Sequence, residues 1–488
     1  MSLLQALPSP DISSAVILCV VVVSLAHLVP YFVDPHGIHS YPGPFLAKFS
    51  DIWLGWTAAQ GHRSERVHEL HKKYGTFVRI APNHLSISDP DALQVVYAHG
   101  NGTLKSEFYD AFVSIQRGLF NTRSRPDHAR KRKIVSHIFS QKSVLEFEPN
   151  IRLHLTTLFK QWDRLCEGGL KSLSGDEGEG GWKGRDGRVW FDCLPWYNYL
   201  AFDIIGDLAF GAPFGMLIAC KDSAPVATSQ KDAIASYGQE CKSKFDYFPA
   251  VQRFNTPTDR ADLLGKLQEG RDEEGRPMGR EELTAEALTQ LIAGSDTTSN
   301  SSCALTYHLA RNQDVQEKLQ RELDDELGGE DDPVPTYEQV KRLPYLEAVI
   351  NEALRIHSTS GIGLPRLVPA GGLIVCGREF PEGTVLSVPT YTIHRDPAIW
   401  GEDTEAFRPE RWFEADKVAV QKTFNPFSFG PRSCVGRNLA SLELLVIVAS
   451  IFRRYHFVLE DPNADLETRE GFLRKPLECR VGMMRRNV

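Results

Sequence analysis

One ten-residue run limits what this chain can become: Phe427-Ser428-Phe429-Gly430-Pro431-Arg432-Ser433-Cys434-Val435-Gly436. Two glycines flank a cysteine, and glycine lets a backbone turn sharply and pack closely against a neighbour. Leu439 to Arg453 carries apolar residues at helical spacing and predicts a helix beginning just after the cysteine. A thiolate near a helix N-terminus is favoured by the macrodipole and by the free N–H groups there. A lone cysteine in a glycine-bearing turn is ordinarily a buried structural residue. Here Phe427, Gly430, Arg432, Cys434 and Gly436 fall together within ten residues, and their joint occurrence argues for chemistry at Cys434.

The remaining cysteines do not compete with it. The nine (Cys19, Cys166, Cys193, Cys220, Cys241, Cys303, Cys376, Cys434 and Cys479) are dispersed, with no Cys-x-x-Cys pair. Such an odd, scattered set is not the pattern of a disulfide framework or a zinc site, so most read as reduced and buried. A chain of 488 residues suggests about three domains by the ~150-residue rule, though one large domain is allowed. A 42% hydrophobic and 24% charged composition supplies a large core, and a net charge of -8 gives no reason to expect nucleic acid.

Ile12 to Val33 is nearly continuous apolar sequence, broken only by Ser13, Ser14, Ser24, His27 and Pro30. About 20 apolar residues cross a bilayer as a helix, which predicts a transmembrane signal-anchor over 12–33 behind a short tail, 1–11. Ser2 to Asp11 has no Lys or Arg, unlike a cleaved signal peptide. The nearby basic residues, Lys48, Arg63 and Arg66, all follow the run, which leaves the body on the cytosolic face. Tyr41-Pro42-Gly43-Pro44 reads as the end of a stiff hinge, 34–44, before a catalytic body at 45–488.

Within that body the pattern is mainly helical. Arg63–Lys73, Asp127–Phe139, Glu148–Glu167, Leu283–Ala310 and Asp314–Leu327 carry apolar residues three and four apart. Strand-like alternation is confined to short pieces, Phe77–Ile87 and Leu373–Val388. Gly168–Gly187 reads as an exposed loop, and Asp222–Gln239 has little apolar periodicity. No Gly/Ser-rich linker interrupts Glu281–Leu459, which favours one integrated domain.

The cysteine run resembles the heme-binding signature F-x-x-G-x-R-x-C-x-G of the cytochrome P450 family, with every fixed position present. The resemblance implies the P450 fold, mainly α with a small β portion. It also implies heme b with Cys434 as the iron ligand, and Phe427, Arg432 and Gly436 as cofactor contacts. Leu283–Ala310 would be the helix crossing the heme. Its Ala293-Gly294-Ser295-Asp296-Thr297-Thr298 is similar to the family's oxygen-activation motif. A glycine and hydroxyls that can bond back to i−4 carbonyls would loosen the helix there. Thr297 would supply a hydroxyl beside oxygen, and Asp296 an acid that replenishes protons.

Glu352-Ala353-Leu354-Arg355 places an acid and a base three apart on a helix face. With Arg411 of Phe407–Trp412, the resemblance implies a buried charged lock that is structural, not catalytic. His128-Ala129-Arg130-Lys131-Arg132 stands where the family usually has W-x-x-x-R, with His128 in place of Trp and Arg132 as a propionate contact. Arg366 matches another propionate position. The basic run 130–133 either docks an acidic redox partner or is a solvated helix face.

The implied activity is monooxygenation, with electrons from a partner because the chain shows no flavin or nicotinamide motif. For an anchored member of the family that means an NADPH–cytochrome P450 reductase at the endoplasmic reticulum membrane. Residues 112–123, 130–149, 194–217 and 282–303 look like fungal benzoate 4-hydroxylases, implying benzoate para-hydroxylation. A carboxylate in an apolar pocket needs a cation, and Arg117 is the candidate. Between Met216 and Leu263 the chain looks shorter than those relatives, where two helices should roof the substrate. A biosynthetic monooxygenase acting on a polyketide or terpene intermediate, and an inactive heme-binding variant, are the alternative readings.

Overall fold

The computed structural model describes residues 12–113, 115–222, 262–328 and 332–487. The expected roof shortening and the Asp222–Gln239 stretch lie almost wholly in 223–261, outside the described residues.

Ile12–Val33 is a helix whose 21 residues from Ser13 are long and apolar enough to cross a membrane, and most of it is exposed. Its end does touch the body. His27 Nδ1 lies 2.9 Å from the Phe49 carbonyl oxygen, and Tyr31 packs on Phe49 with ring centroids 4.8 Å apart. The hinge expected at Tyr41–Pro44 is not free: the Arg79 N–H donates to the Pro42 carbonyl at 2.8 Å, and Tyr41 packs between Phe77 and Phe380.

The helical body is built around Arg280–Arg311, which packs on Leu194–Phe210, Arg437–Arg454 and Pro344–Ile356. Leu194–Phe210 is buried along its whole length, on every face, because helices and sheet enclose it. Glu148–Leu170 joins this group through Ile151, Leu155, Leu158 and Trp162, spaced as one helical stripe.

Two five-stranded sheets flank the helices. The first runs Phe77–Ala81, His84–Ile87, Val385–Ser387, Arg366–Leu367, Leu104–Lys105. Only the pairing of His84–Ile87 with Val385–Ser387 is parallel. Its register sets Lys105 directly opposite Arg366, which matters below. The second runs Tyr455–Leu459, Arg480–Arg485, Arg188–Asp192, Trp182–Arg185, Ser174–Gly175. It overturns the exposed loop expected at Gly168–Gly187. The preceding helix continues to Leu170, and alternate residues of Trp182–Arg185 are buried against it. The charged residues that suggested a loop occupy the solvent face of that strand.

Candidate functional site

The cysteine run folds as a tight turn, Gly430–Arg432, leading into Arg437–Arg454. Gly430 has φ +69°, and a Cβ there would collide with the Tyr97 carbonyl oxygen, so no other residue fits. The Cys434 N–H donates to the Phe427 carbonyl at 2.9 Å, and the Ser433 N–H to Gly430 at 3.1 Å. Phe427 packs on the edge of the main core. Cys434 is thus held from both sides by backbone bonds, with its side chain exposed just before the helix start. A Cβ at Gly436 would make only an ordinary contact with the Cys434 sulfur, at 4.0 Å. Burial raises the thiol's pKa, while the Gly436 N–H, Arg132 and Arg437 pull it down.

Cations converge above this cysteine. Arg132, on Arg125–Ser136, donates to the Ser433 carbonyl at 2.7 Å. Arg432 donates to the Thr122 carbonyl at 2.8 Å. Arg366 donates to the Tyr109 hydroxyl at 3.0 Å. Lys105, buried on the strand facing Arg366, donates to the Phe120 carbonyl. Like charges paired across strands repel, and none of these four forms an ion pair among the described residues. Burial, then Arg366, Arg432 and Arg132, drive the Lys105 pKa well below its ordinary value. Burial and Arg366 bring Arg432 to about 10. His128 is driven to about 3 by burial, then Arg432, Lys105 and Arg132, so it is a neutral donor or acceptor at neutral pH. Such a set is satisfied by a multiply anionic group, as the two propionates of heme are, and an accessible cysteine sulfur nearby suits its iron. The residues present fit the cofactor.

The Ala293–Thr298 segment lies within Arg280–Arg311. The helix runs unbroken through it. The expected loosening takes the milder form of hydroxyls bonded back along the helix, Thr297 Oγ1 to the Ala293 carbonyl at 2.6 Å and Ser295 Oγ to Leu291 at 2.8 Å. Gly294 answers to packing: a Cβ there would sit 2.8 Å from Ile205 Cδ1 of Leu194–Phe210. Asp296 lies 3.6 Å from Lys475 Nζ. Thr298 donates at 2.8 Å to Glu443, whose carboxyl is raised to about 7 by burial, with the Thr298 bond opposing.

Glu352, Arg355 and Arg411 come together, fully buried. Arg355 donates twice to Glu352 at 2.9 Å, and Arg411 Nε donates at 2.8 Å. The Arg408 N–H and Trp412 Nε1 complete the carboxylate's shell at 3.0 and 3.1 Å, and Asp403 neutralises Arg411 from the far side at 3.0 Å.

Two expectations meet a different arrangement. Arg117 is held by Asp110 at 2.7 Å and by the Asn121 carbonyl at 3.3 Å, so its charge is already met within its own loop. The basic run 130–133 is neither a free docking face nor a solvated one. Arg130 pairs with Asp127 and Glu282, Lys131 is buried against the same acids, and Arg132 turns toward Ser433. Lys133 alone of the run points to solvent.

The sequence reading missed Lys105, Glu443 and an aromatic wall. Phe112, Phe120 and Phe472 meet edge to face with centroids 5.2–5.5 Å apart, and Phe108 and Tyr109 join them. Through Tyr109 this wall adjoins Arg366 and Lys105. Glu443 had a usable signal, a single carboxylate in the apolar run Leu439–Ile451. Lys105 had none.

The family described as Cytochrome P450 matches residues 42–261 and 219–483. The chain is 47% identical over 512 aligned residues, 95% of each chain, to "Benzoate 4-monooxygenase bphA" of Aspergillus niger. That alignment is longer than this 488-residue chain, so it opens gaps in it. The chain is 31% identical to "Cytochrome P450 monooxygenase poxM" of Penicillium oxalicum (88% of this chain, 86% of the relative). It is also 31% identical to "Cytochrome P450 monooxygenase atr2" of Stereocaulon alpinum (93% and 92%). This degree of likeness carries heme iron, and electrons delivered through a reductase, with it.

Proposed function

Because the chain belongs to the cytochrome P450 family, we propose that this monooxygenase places one oxygen atom on a small aromatic acid, in the simplest case benzoate at its para carbon. The observation that carries the substrate is the 47% identity, across 95% of both chains, to a benzoate 4-monooxygenase, against 31% for the other two relatives. The wall of Phe112, Phe120 and Phe472 supports it, since edge-to-face rings suit a flat aromatic guest.

Cys434 would ligate the heme iron, and Lys105, Arg132, Arg366, Arg432 and His128 would hold its propionates. When bound, the heme supplies activation of O2, with thiolate ligation favouring O–O cleavage. The chain's own part is positional and protonic. The Thr297 hydroxyl, now spent on the Ala293 carbonyl, can rotate to donate into the distal space. Asp296 beside it, tethered by Lys475, passes protons in from solvent. The Glu352 lock holds the cysteine side of the fold still. The 12–33 helix would anchor the body at the endoplasmic reticulum membrane, facing the cytosol, where an NADPH-dependent reductase supplies electrons.

The test is expression with such a reductase and a panel of aromatic acids. NADPH-dependent formation of 4-hydroxybenzoate is expected, together with the thiolate signature in the reduced-CO spectrum. Cys434→Ser should abolish that signature; its persistence would overturn the ligand assignment. A normal spectrum with turnover of larger polyketide- or terpene-like molecules, and none of benzoate, would move the chain to biosynthesis. A normal spectrum with no turnover at all would make it a heme-binding protein. Arg117→Leu tests whether that arginine anchors the carboxylate: unchanged benzoate affinity removes it from the pocket.

A further inference from the structure

Three cysteines far apart in sequence meet beside the long helix. Cys193 precedes Leu194–Phe210, Cys303 lies in Arg280–Arg311, and Cys479 precedes Arg480–Arg485. Their sulfurs all lie within 4.8 Å of one another, and the three residues are 0%, 0% and 3% exposed. The backbone holds them there. The Cys193 N–H donates to the Cys479 carbonyl at 3.0 Å. Asp192 Oδ1 accepts from the N–H groups of Leu194 at 3.0 Å and Cys479 at 2.9 Å, and Asp192 pairs with Arg480 in the sheet. The hydroxyls of Tyr197 and Thr306, 2.5 Å apart, tie the two helices one turn further on. Neither spacing nor motif announced this trio.

We propose that Cys193, Cys303 and Cys479 form a three-sulfur site for a trivalent thiophilic ion of the arsenite class. A pyramidal trivalent ion held about 2.3 Å from each of three sulfurs sets them about 3.5 Å apart, inside the 4.8 Å limit observed. No fourth His, Asp, Glu or Cys joins the group among the described residues, which disfavours the tetrahedral sites zinc prefers. Charge makes the choice of valence. The charged groups acting on the trio, Asp192 and Glu478, are both acids, and an uncompensated buried charge is costly. Three thiolates leave a monovalent ion at a net −2 and a divalent one at −1, but a trivalent one neutral. The reaction balances without an oxidant or reductant. Three S–H and three As–O bonds break, three As–S bonds form, and the three hydroxyls leave as water with the thiol protons. Arsenic stays trivalent.

The test supplies arsenite to the folded holoenzyme and, separately, during its expression. One arsenic per chain should survive desalting, with three fewer titratable thiols on denaturation and an unchanged reduced-CO spectrum. X-ray absorption at arsenic should show three sulfur neighbours. Cys303→Ala and Cys479→Ala should each lower retained arsenic at least tenfold while keeping the CO signature. Absence of arsenic under both loadings, two sulfur neighbours instead of three, equal retention by Cys479→Ala, or loss of the CO signature on binding would each overturn the site. The absorption measurement uses the wild-type chain, so it decides even where a variant fails to fold.

Discussion

Two buried charge clusters in this molecule are settled in opposite ways. Around Glu352, two guanidiniums meet one buried carboxylate and Asp403 supplies the second negative charge, while backbone groups take up the remaining donors. That cluster is complete within the chain. Around Arg366, four basic side chains face one another across a sheet edge, a helix and the cysteine turn, and among the described residues they meet carbonyls, a phenol and aromatic rings but no carboxylate in an ion pair. A self-contained cluster holds a fold together. One with charge left over calls for a partner from outside, and in the function proposed above that partner would be the same cofactor Cys434 would ligate.

The comparison breaks hardest at Glu352. Glu352→Ala strands two buried guanidiniums and should cost ~3–5 kcal/mol, seen in denaturant unfolding and as lost yield of CO-competent protein. A cost below about 1 kcal/mol would mean the lock is not closed. Glu443 sharpens the contrast from the other side, as a buried acid that pairs with no cation among the described residues. Its folded pKa, about 7, lies above the ordinary 4.5, so the folded chain keeps a proton that the unfolded chain releases. Its contribution is present below pH 4.5 and is lost as pH rises through 7, by roughly 3 kcal/mol at most. Glu443→Gln should flatten that slope and exceed the parent in stability at pH 8; a parent-like slope would assign the titration elsewhere.

Arg366→Leu should act on the cofactor and not on the fold. Losing one charge-assisted contact, ~1.5–3 kcal/mol, corresponds to heme leaving for an acceptor globin about ten to a hundred times faster. The heme-free chain should keep or raise its urea midpoint, because a repelling neighbour of Lys105 is gone. If instead the heme-free chain is destabilised, the cluster is structural. Lys133→Glu should do least: it breaks one exposed contact with Glu273, and stability in urea unfolding should stay within about 0.5 kcal/mol of the parent; a larger loss would mean the contact is structural.

What could be read in advance followed from local rules. The cysteine turn, the long helix and the Glu352–Arg355 pair are short-range patterns whose spacing carries their geometry. Lys105 acquires its meaning from the strand opposite, and a two-residue strand has no periodicity to show. Gly294 looked like a device for bending a helix, but its reason is Ile205 on another helix. The 174–192 strands were hidden by charged residues on their outer face. The three converging cysteines were invisible for the same cause: the backbone bonds that gather them link residues hundreds of positions apart.

The fastening of the chain just after its first helix has a mechanical consequence. With Tyr31 packed on Phe49 and Pro42 bonded to Arg79, the body cannot swivel on a slack tether. Phe45, Leu46, Ile52 and Trp56, all well exposed in the segment that follows the helix, would meet the lipid surface. Were the helix embedded as proposed, the heading of the catalytic body would be set relative to the membrane plane. Encounter with a reductase on the same membrane would then be a search in two translations and one rotation, much as a keel turns free tumbling into steering.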